Sequence, residues 1–376
     1  MTSDAGAYHL VSFGEAMVRL CPPGFGRLEV ATQLEMQPGG AELNTAVGVA
    51  RLGAAYGIRV AWVSRLPQNP LGRYIANKAR EHGVSTDGIL WDPDPNARCG
   101  TYFLEEGAAP RPSSVLYDRA NSAFACLRPE ELDWRRLLQG TRYFLVTGIT
   151  PALGAGCLEA TRQAMRAARE AGARVVFDPN FRSKLWTLET AREVYRELAP
   201  LVDILSCPLE GLRTFYDVDA GEGDELGAAR AAMARYDLQA VIMTSRVELG
   251  MWRNRVGATV VARAGHPRDT APAGPRGAPR AGDAAPVEAG AIAVEVYRDR
   301  EREVEIVDRL GAGDAFLAGF LHVLLTGDPD RPDWERATAY GGACAALKHT
   351  IRGDFPILTE AEVRQEIEAP ALRIQR

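Results

Sequence analysis

Short strand-like segments alternate with helical segments along most of the chain, and this alternation limits the fold more than any other feature. The apolar residues of 157–170 recur at helical spacing up to Gly172, and the β-branched segment 174–178 follows directly. Strands are predicted at residues 8–13, 59–64, 142–147, 174–178, 202–206 and 240–244, and helices at 43–52, 157–170, 187–199 and 224–236. Because strands joined by helices of this length usually run parallel, the pattern predicts a mostly parallel sheet with helices on both faces.

Two segments interrupt the alternation. Residues 97–105 and 113–119 are rich in β-branched and aromatic residues and flank a loop of glycine and proline. They predict a hairpin that joins residues near 25–37 in a small sheet, with its strands within about 16–38 and 97–121. A separate sheet over the carboxyl ends of the main strands would be a lid. The alternative is that both segments are extra edge strands of the main sheet.

A third segment, residues 264–290, is rich in proline, glycine and alanine and has no apolar periodicity. It predicts a flexible insertion and not a linker between domains, because strand-like residues resume at 291–296. The chain is therefore expected to form one domain over residues 1–376.

Composition and charge exclude several classes of protein. The net charge of −5 argues against a nucleic-acid partner, because no basic stripe offsets the acidic balance. The longest apolar stretch, around residues 315–325, is too short to span a membrane, and the first residues do not resemble a signal peptide. Six scattered cysteines without a C-x-x-C pair favour reduced thiols. A cytoplasmic location is therefore expected.

The turn Gly311-Ala312-Gly313-Asp314 opens an apolar run that predicts a buried helix ending near Gly327. The first amides of a helix lack internal partners and lie at the positive end of the helix dipole, so such a turn holds an anion. A carboxylate beside an anion site repels phosphate unless it takes up a proton. An anion-binding turn next to a base suits the transfer of phosphate to a hydroxyl. The alternative is that Asp314 only caps the helix.

Two motifs together resemble the ribokinase-like (PfkB) family of sugar kinases. Residues 39–46, Gly-Gly-Ala-Glu-Leu-Asn-Thr-Ala, look like the family's N-terminal glycine pair, and residues 308–314, Asp-Arg-Leu-Gly-Ala-Gly-Asp, look like its C-terminal signature. The resemblance covers nearly the whole chain. It implies an α/β fold, a ribokinase-like three-layer α/β/α sandwich with a mostly parallel central sheet and a small β-sheet lid.

Within the family, the chain is most similar to the 2-keto-3-deoxygluconate kinases. The similar segments are residues 117–119, 147–153 and 178–182, the last followed by Leu185-Trp186. This resemblance implies that ATP, with Mg²⁺, phosphorylates the terminal hydroxyl of a keto-deoxy sugar acid, and that 2-keto-3-deoxygluconate is converted to its 6-phosphate. The implied catalytic residues are Asp314 as the base and Gly311, Ala312 and Gly313 as the amide donors.

The same resemblance assigns residues to the sugar. They are Gly39, Gly40, Asn44, Tyr102, Tyr117, Arg119 and Arg182. The two arginines also suit a sugar acid on chemical grounds, because guanidinium groups form charge-assisted hydrogen bonds with carboxylates; Arg182 can equally contact phosphate. The alternatives are a polar residue near a helix start for Asn44, cross-strand packing for the tyrosines, a solvated charge for Arg119 and a salt bridge for Arg182.

On the nucleotide side the chain departs from the family pattern. The expected glycine-spaced loop reads Thr244-Ser245-Arg246-Val247-Glu248-Leu249-Gly250, and Arg246 either contacts phosphate or fills the pocket. The residues implied to bind nucleotide are Thr244, Arg246, Gly250, Gly311, Gly313 and Ala343. Segment 207–211 lacks the family's asparagine, which leaves Glu210 as a water-mediated magnesium ligand. The resemblance also allows a monovalent cation.

Several alternatives stay open at the level of sequence. A fructokinase, a ribokinase or a 2-keto-3-deoxygalactonate kinase would share the fold and differ in the sugar. A sugar-binding regulatory protein would keep the pocket and lose kinase activity through the altered segments 206–211 and 244–250. A homodimer formed through the lid is expected, since exposed strand edges favour pairing.

Overall fold

A central sheet of eleven strands organises the chain, as the sequence pattern predicts. The structure is a computed structural model, and it describes residues 7–218, 220–221, 223–264 and 292–368. Within these residues the main-sheet strands are β1 (Leu10–Phe13), β4 (Val60–Pro67), β5 (Val84–Ser85), β6 (Ile89–Asp92), β9 (Tyr143–Thr147), β10 (Arg174–Asp178), β11 (Ile204–Ser206), β12 (Ala240–Gly250), β13 (Arg253–Arg263), β14 (Val294–Arg298) and β15 (Arg302–Glu305). Their order is β14-β13-β12-β11-β10-β9-β1-β4-β5, with β15 beside β13 and β6 beside β4.

Among the described strands of this sheet, β4, β1, β9, β10, β11 and β12 pair in parallel in that order, and β5 and β6 pair in parallel with β4. The antiparallel pairs are those that β13 makes with β12, β14 and β15. Parallel strands bring their carboxyl ends to one edge of the sheet, where ligands of open α/β folds bind. Glu15, Thr147 and Asp178 lie at or just beyond the carboxyl ends of β1, β9 and β10. This edge is therefore the first place to look for a functional site.

Helices cover both faces of the sheet. They are α1 (Ala41–Gly53), α2 (Pro70–Glu81), α3 (Trp134–Leu138), α4 (Ala155–Glu170), α5 (Leu188–Leu198), α6 (Leu209–Phe215), α7 (Glu225–Tyr236), α8 (Ala312–Thr326), α9 (Trp334–Lys348) and α10 (Glu360–Glu368). Helices α1, α2, α8, α9 and α10 pack on one face and α3 to α7 on the other, around two separate apolar clusters. In the described part of the chain no helix combines the length and apolar character needed to cross a lipid bilayer.

A second, four-stranded sheet lies apart from the main one. Its strands are β2 (Met17–Cys21), β3 (Glu35–Gly39), β7 (Thr101–Glu105) and β8 (Ser114–Asp118), in the order β3-β2-β7-β8. The predicted hairpin is β7 paired with β8, and it does not extend the main sheet. The predicted fold class, a three-layer α/β/α sandwich with a small additional sheet, is confirmed.

One segment on the nucleotide side differs from its prediction. Residues 244–250 do not form a loop after a strand ending at Thr244; they continue β12 as one arm of a hairpin with β13, in which Arg246 pairs with Val256. The side chains of this arm are exposed, so its sequence lacks the apolar alternation that marks a strand against a core. The predicted insertion at 264–290 lies outside the described residues, apart from residue 264.

Candidate active site

The turn at 311–313 has the geometry of an anion-binding helix start. Gly311 has a φ of 80°, a conformation that favours glycine, and a Cβ atom there would overlap the carbonyl oxygen of Asp354. The first hydrogen bond of α8 runs from the Ala315 amide to the Gly311 carbonyl at 2.9 Å, so the amides of residues 311–313 precede the helical ladder. Gly313 is exposed, with open space beside it. An anion can therefore approach these amides.

Asp314 lies beside this turn and is only partly buried. Its Oδ2 accepts a hydrogen bond from Asn44 Nδ2 at 2.7 Å, and its backbone carbonyl accepts one from Thr45 at 3.2 Å. The residue that caps α8 is Gly311, and no side chain caps that helix start. The alternative that Asp314 only caps the helix is therefore wrong, because its carboxylate is held by the neighbouring helix α1.

The environment of Asp314 favours a base that works near neutral pH. Burial raises the pKa of its carboxyl to about 7, and the charges of Asp178, Asp354 and Glu42 add to the rise, while the Asn44 hydrogen bond opposes it. Desolvation and nearby like charges both disfavour the ionised form of a carboxyl group. A carboxylate whose pKa lies near the working pH is well suited to general base catalysis.

The glycine pair brings the small sheet close to the main domain. A Cβ on Gly39 would overlap the Tyr102 hydroxyl and the Asp354 carboxylate, and one on Gly40 would overlap the carbonyl of Glu15. The amide of Gly40 donates to Asn44 Oδ1 at 3.2 Å. Asn44 therefore connects the glycine pair to the Asp314 carboxylate, and it does more than provide a polar residue near the start of α1.

The two predicted tyrosines form a cross-strand pair. Tyr102 lies opposite Tyr117, and their ring centroids are 5.9 Å apart. Tyr102 is buried and donates its hydroxyl proton to Asp354 Oδ2 at 2.6 Å, whereas Tyr117 is 39% exposed. The cross-strand packing that sequence analysis gives as the alternative is thus present. Of the two rings, only that of Tyr117 has a substantially open surface toward a ligand.

The two predicted arginines have different partners. The guanidinium of Arg119 is held by the buried Glu15, to which Nε donates at 3.0 Å and Nη2 also donates. Arg182 is exposed and donates to the backbone carbonyls of Asn180 and Phe181. Neither alternative from sequence is observed, because Arg119 is not a solvated charge, and no salt bridge of Arg182 occurs within the described residues.

Sequence analysis did not assign a role to Glu42. This buried side chain accepts three hydrogen bonds, from the Thr147 amide at 3.0 Å and from the Thr147 and Thr150 hydroxyls at 2.8 Å each. It ties α1 to the carboxyl end of β9, and Gly14 leaves room for its carboxylate. Acidic residues are common in the first turn of a helix, where they interact favourably with the helix dipole. The position of Glu42 in the first turn of α1 therefore gives no sequence signal of a special role.

Asp178 is a second acid that sequence analysis left without a role. It ends β10, and its Oδ1 accepts the amide of Asn180, at 2.9 Å, in a turn where Asn180 has a φ of 39°. Burial raises the pKa of Asp178 to about 6, although its interactions with Asn180 and Arg182 oppose the rise. Its charge also contributes to the raised pKa of Asp314, so the two carboxyls interact electrostatically.

The predicted nucleotide residues lie on separate elements. Thr244 and Arg246 are exposed on the outer arm of β12, where Arg246 is 3.8 Å from Glu248. Gly250, at the end of this arm, lines a cleft of about 630 Å³ that reaches Leu310, next to the 311–313 turn. Ala343 has no exposed surface and packs in the core. Leu347, one turn later, is partly exposed, and the assignment of Ala343 to the nucleotide stays a prediction.

The donor atoms suit a magnesium ion that arrives with phosphates. No group of three or more potential ligand side chains occurs within the described residues. Magnesium is usually held by one or two carboxylates together with substrate phosphates and water, and Asp178 offers one such carboxylate at the carboxyl end of β10. Glu210 is exposed in the first turn of α6. Its role as a water-mediated ligand stays a prediction.

Comparisons with known proteins agree with this geometry. A model of the pfkB family of carbohydrate kinases matches residues 8–266 and 288–357. The chain is 36% identical to a 2-dehydro-3-deoxygalactonokinase of Haloferax volcanii, over 98% of this chain and 99% of that protein. It is 28% identical to a 2-dehydro-3-deoxygluconokinase of Bacillus subtilis, over 94% and 93% of the two chains.

The fold comparison gives the same result. The crystal structure of a 2-dehydro-3-deoxygluconokinase from Thermotoga maritima matches with a TM-score of 0.81 and 31% identity, over 96% of this chain and 98% of that chain. The prefix 2-dehydro denotes the same group as 2-keto. With the family model covering most of its length, the chain belongs to the pfkB family of carbohydrate kinases and is a phosphotransferase with a hydroxyl acceptor.

Proposed function

We propose that this kinase transfers the γ-phosphoryl group of ATP to the terminal hydroxyl of a 2-keto-3-deoxy sugar acid. The observation that carries the proposal is the position of Asp314, a carboxylate with a pKa near 7, directly beside the free amides of the 311–313 turn. Asp314 takes the hydroxyl proton as that oxygen attacks the γ-phosphorus, and the bond from this phosphorus to the β,γ-bridging oxygen breaks, so that ADP leaves. The three amides stabilise the charge on the phosphoryl oxygens.

Magnesium is the cofactor of this proposal, together with ATP. When bound, it neutralises charge on the phosphates, and Asp178 is the residue that would hold it. The small sheet serves as the lid, which keeps water away from the phosphoryl group. Asn44 holds Asp314 at 2.7 Å and so fixes the direction from which the carboxylate meets the sugar.

The acid group of the substrate is assigned to the arginines. Arg119 follows β8 of the small sheet and Arg182 follows β10 of the main sheet, so the two arginines belong to different sheets. A keto-deoxy acid needs such cations, whereas fructose and ribose carry no charge. The names of the relatives support this substrate class. Sequence analysis favours the gluconate and the Haloferax relative favours the galactonate, so both epimers enter the tests below.

The pH dependence of turnover tests the base. Because Asp314 must be ionised to accept a proton, kcat/KM for the sugar should be constant at alkaline pH and fall as the pH drops through about 7. The midpoint lies near pH 7 partly because the pKa of Asp314 is raised by the charges of Asp178, Asp354 and Glu42. We expect an acidic limb in kcat/KM for the sugar, measured at saturating MgATP between pH 5.5 and 9, that approaches a slope of about tenfold per pH unit below the midpoint. Below about pH 6, protonation of Asp178 would add to this fall. A flat profile down to pH 5.5 would contradict the assignment.

Replacing Arg119 by alanine tests the substrate class. Loss of a charged hydrogen bond costs about 1.5–3 kcal/mol, so KM for the sugar acid should rise roughly 10- to 150-fold while KM for a neutral sugar changes little. Arg119→Ala alone leaves the buried carboxylate of Glu15 without its cation, which is costly. The double variant Arg119→Ala, Glu15→Gln also replaces this carboxylate and so avoids that cost. The control is Arg98→Ala, which breaks an exposed lid ion pair with Asp118. Equal losses with acid and neutral sugars would reject the role of Arg119.

The homodimer through the lid also remains a proposal. Strands β3 and β8 form the two edges of the small sheet and present exposed Met36 and Leu116. Open edges with apolar side chains favour pairing between chains. The cytoplasmic location likewise stays a prediction.

A further inference from the structure

A buried arginine of the lid lies at the centre of a cluster of carboxylates. Arg19, on β2, is 1% exposed. Its Nη1 donates to Asp308 Oδ2 at 2.6 Å and to Asp354 Oδ1 at 2.9 Å, and its Nη2 is 3.6 Å from Glu106 Oε1. Arg19 therefore joins the lid to two segments of the main domain that surround the phosphate-binding turn.

Both aspartates contact the turn or the residue before it, Asp308 through its carboxylate and Asp354 through its backbone. Asp308 Oδ1 accepts the amide of Leu310 at 3.0 Å, immediately before the turn, and its Oδ2 accepts the amide of Gly353, also at 3.0 Å. The backbone carbonyl of Asp354 packs against Gly311 so closely that a Cβ atom has no room. The position of the Gly311 turn thus depends on Asp308 and Asp354, and their side chains meet at Arg19.

The lid contacts this cluster a second time through Tyr102. This residue, on β7, donates to the other carboxylate oxygen of Asp354 at 2.6 Å. Two neighbouring strands of the lid therefore hold one aspartate of the main domain. A movement of the lid that separates these groups would expose buried charges, which is costly unless the cluster separates as a whole.

The cluster contains its own cations. Burial alone would lower the pKa of the Arg19 guanidinium, but the carboxylates of Asp308 and Asp354 outweigh this effect and raise the pKa above its ordinary value. The fully buried Lys348 donates to the Ile351 carbonyl at 3.1 Å, and Asp308 and Asp354 partly offset the lowering of its pKa by burial. Asp308 and Asp354 already pair with Arg19, so a monovalent cation that bound these carboxylates would have to displace its guanidinium group. The residues present do not fit the monovalent cation that the family resemblance allows.

We propose that Arg19 is a built-in cation that positions the phosphate-binding turn: between Asp308 and Asp354 it takes the place of a free monovalent cation and couples the turn to the lid. This inference rests on the proposed function only in that the 311–313 turn binds the phosphates of a nucleotide. It makes Arg19 a positioning residue, because it acts through Asp308 and Asp354 and not on the substrate itself.

The test compares Arg19→Ala and Arg19→Lys with the control Arg111→Ala. Arg111 also belongs to the lid and pairs with Glu105 at 2.8 Å, but its contacts remain within the lid. The probe is MgADP binding by calorimetry without sugar, so the result does not depend on which sugar is phosphorylated. We expect Arg19→Ala to weaken MgADP about 10- to 100-fold and Arg111→Ala to change it less than about threefold.

Cation rescue separates positioning from general stability. Removal of the Arg19 side chain leaves a space between two carboxylates, which a free guanidinium ion can fill. Millimolar guanidinium should therefore restore MgADP binding by Arg19→Ala and raise the unfolding temperature of this variant. It should change neither property in the wild type or in Arg111→Ala. If Arg19→Ala does not fold without added cation, its folding in guanidinium is the readout. Arg19→Lys, which keeps the charge without the planar fork, should bind MgADP at an intermediate level.

The wild type provides the remaining readout. Replacing potassium by tetramethylammonium should leave both its MgADP affinity and its unfolding temperature unchanged. The inference is overturned if the wild type requires potassium for either property, if Arg19→Ala binds MgADP normally, or if guanidinium fails to rescue the variant. Failure of the sugar assays with intact MgADP results would instead reject the proposed substrate and leave the role of Arg19 in place.

Discussion

Replacing Asp314 by asparagine should lower kcat by about 10² to 10⁴, the usual contribution of a positioned general base. The amide keeps the size of the side chain and can still accept the hydrogen bond from Asn44, so the sugar should bind nearly as well as before. The acidic limb of the pH profile should also disappear from the residual activity. These three quantities come from steady-state kinetics across pH and from direct measurement of sugar binding.

The free energy of unfolding of this variant should differ from that of the wild type in a direction that depends on pH. The folded-state pKa of Asp314 is raised from 3.8 to about 7, so the ionised carboxyl weakens folding progressively as the pH rises through that interval. The side-chain amide of the variant does not ionise. The free energy of unfolding at pH 8 should therefore be higher for Asp314→Asn than for the wild type, and the difference should shrink near pH 4. Near-normal turnover in a stably folded variant would remove Asp314 from the role of base.

Replacing Gly311 by alanine should abolish most activity for a different reason. The left-handed φ of 80° strains an alanine, and its Cβ would overlap the Asp354 carbonyl. We expect the free energy of unfolding to fall by about 2–4 kcal/mol and kcat/KM to fall by about 10² or more, because small displacements of catalytic groups have effects of that size. Chemical denaturation and steady-state kinetics measure the two effects.

Gly313→Ala is the matched control for that change. Gly313 has no positive φ and faces open space, so alanine there should keep or slightly raise stability, by up to about 1 kcal/mol, as expected for glycine replaced within a helix. Its Cβ nevertheless projects beside the amides that hold the phosphoryl group, so turnover should still fall. If Gly311→Ala proves both stable and active, the turn does not have the function assigned to it.

The parts of the fold that sequence analysis predicts are those governed by local spacing. Strand β10 covers the predicted residues 174–178, and the apolar run after Asp314 forms the buried helix α8. The anion-binding turn is equally local, since two glycines and an apolar helix suffice to indicate it. The small sheet is predicted because β-branched and aromatic residues concentrate in its hairpin.

Sequence analysis fails where a side chain meets a partner from a distant segment. Arg119 is held by Glu15, and Arg19 is held by Asp308, contacts between residues 104 and 289 positions apart. The periodicity of apolar residues along a helix or strand contains no information about such contacts between distant residues. The family resemblance assigns Ala343 to the nucleotide pocket, and only the packing of α9 against its neighbours shows that this residue is buried. The exposed arm of β12 lacks the alternation that would have identified it.

The most direct test of the central claim is a coupled assay of ADP release with MgATP and a panel of sugars, using Asp314→Asn as the blank. The account predicts rapid turnover with 2-keto-3-deoxygluconate or 2-keto-3-deoxygalactonate, phosphate on the terminal hydroxyl of the product, much slower turnover with fructose and ribose, and almost none with the variant. Faster turnover with a neutral sugar would contradict the proposed substrate, and undiminished ADP release by the variant would contradict the mechanism.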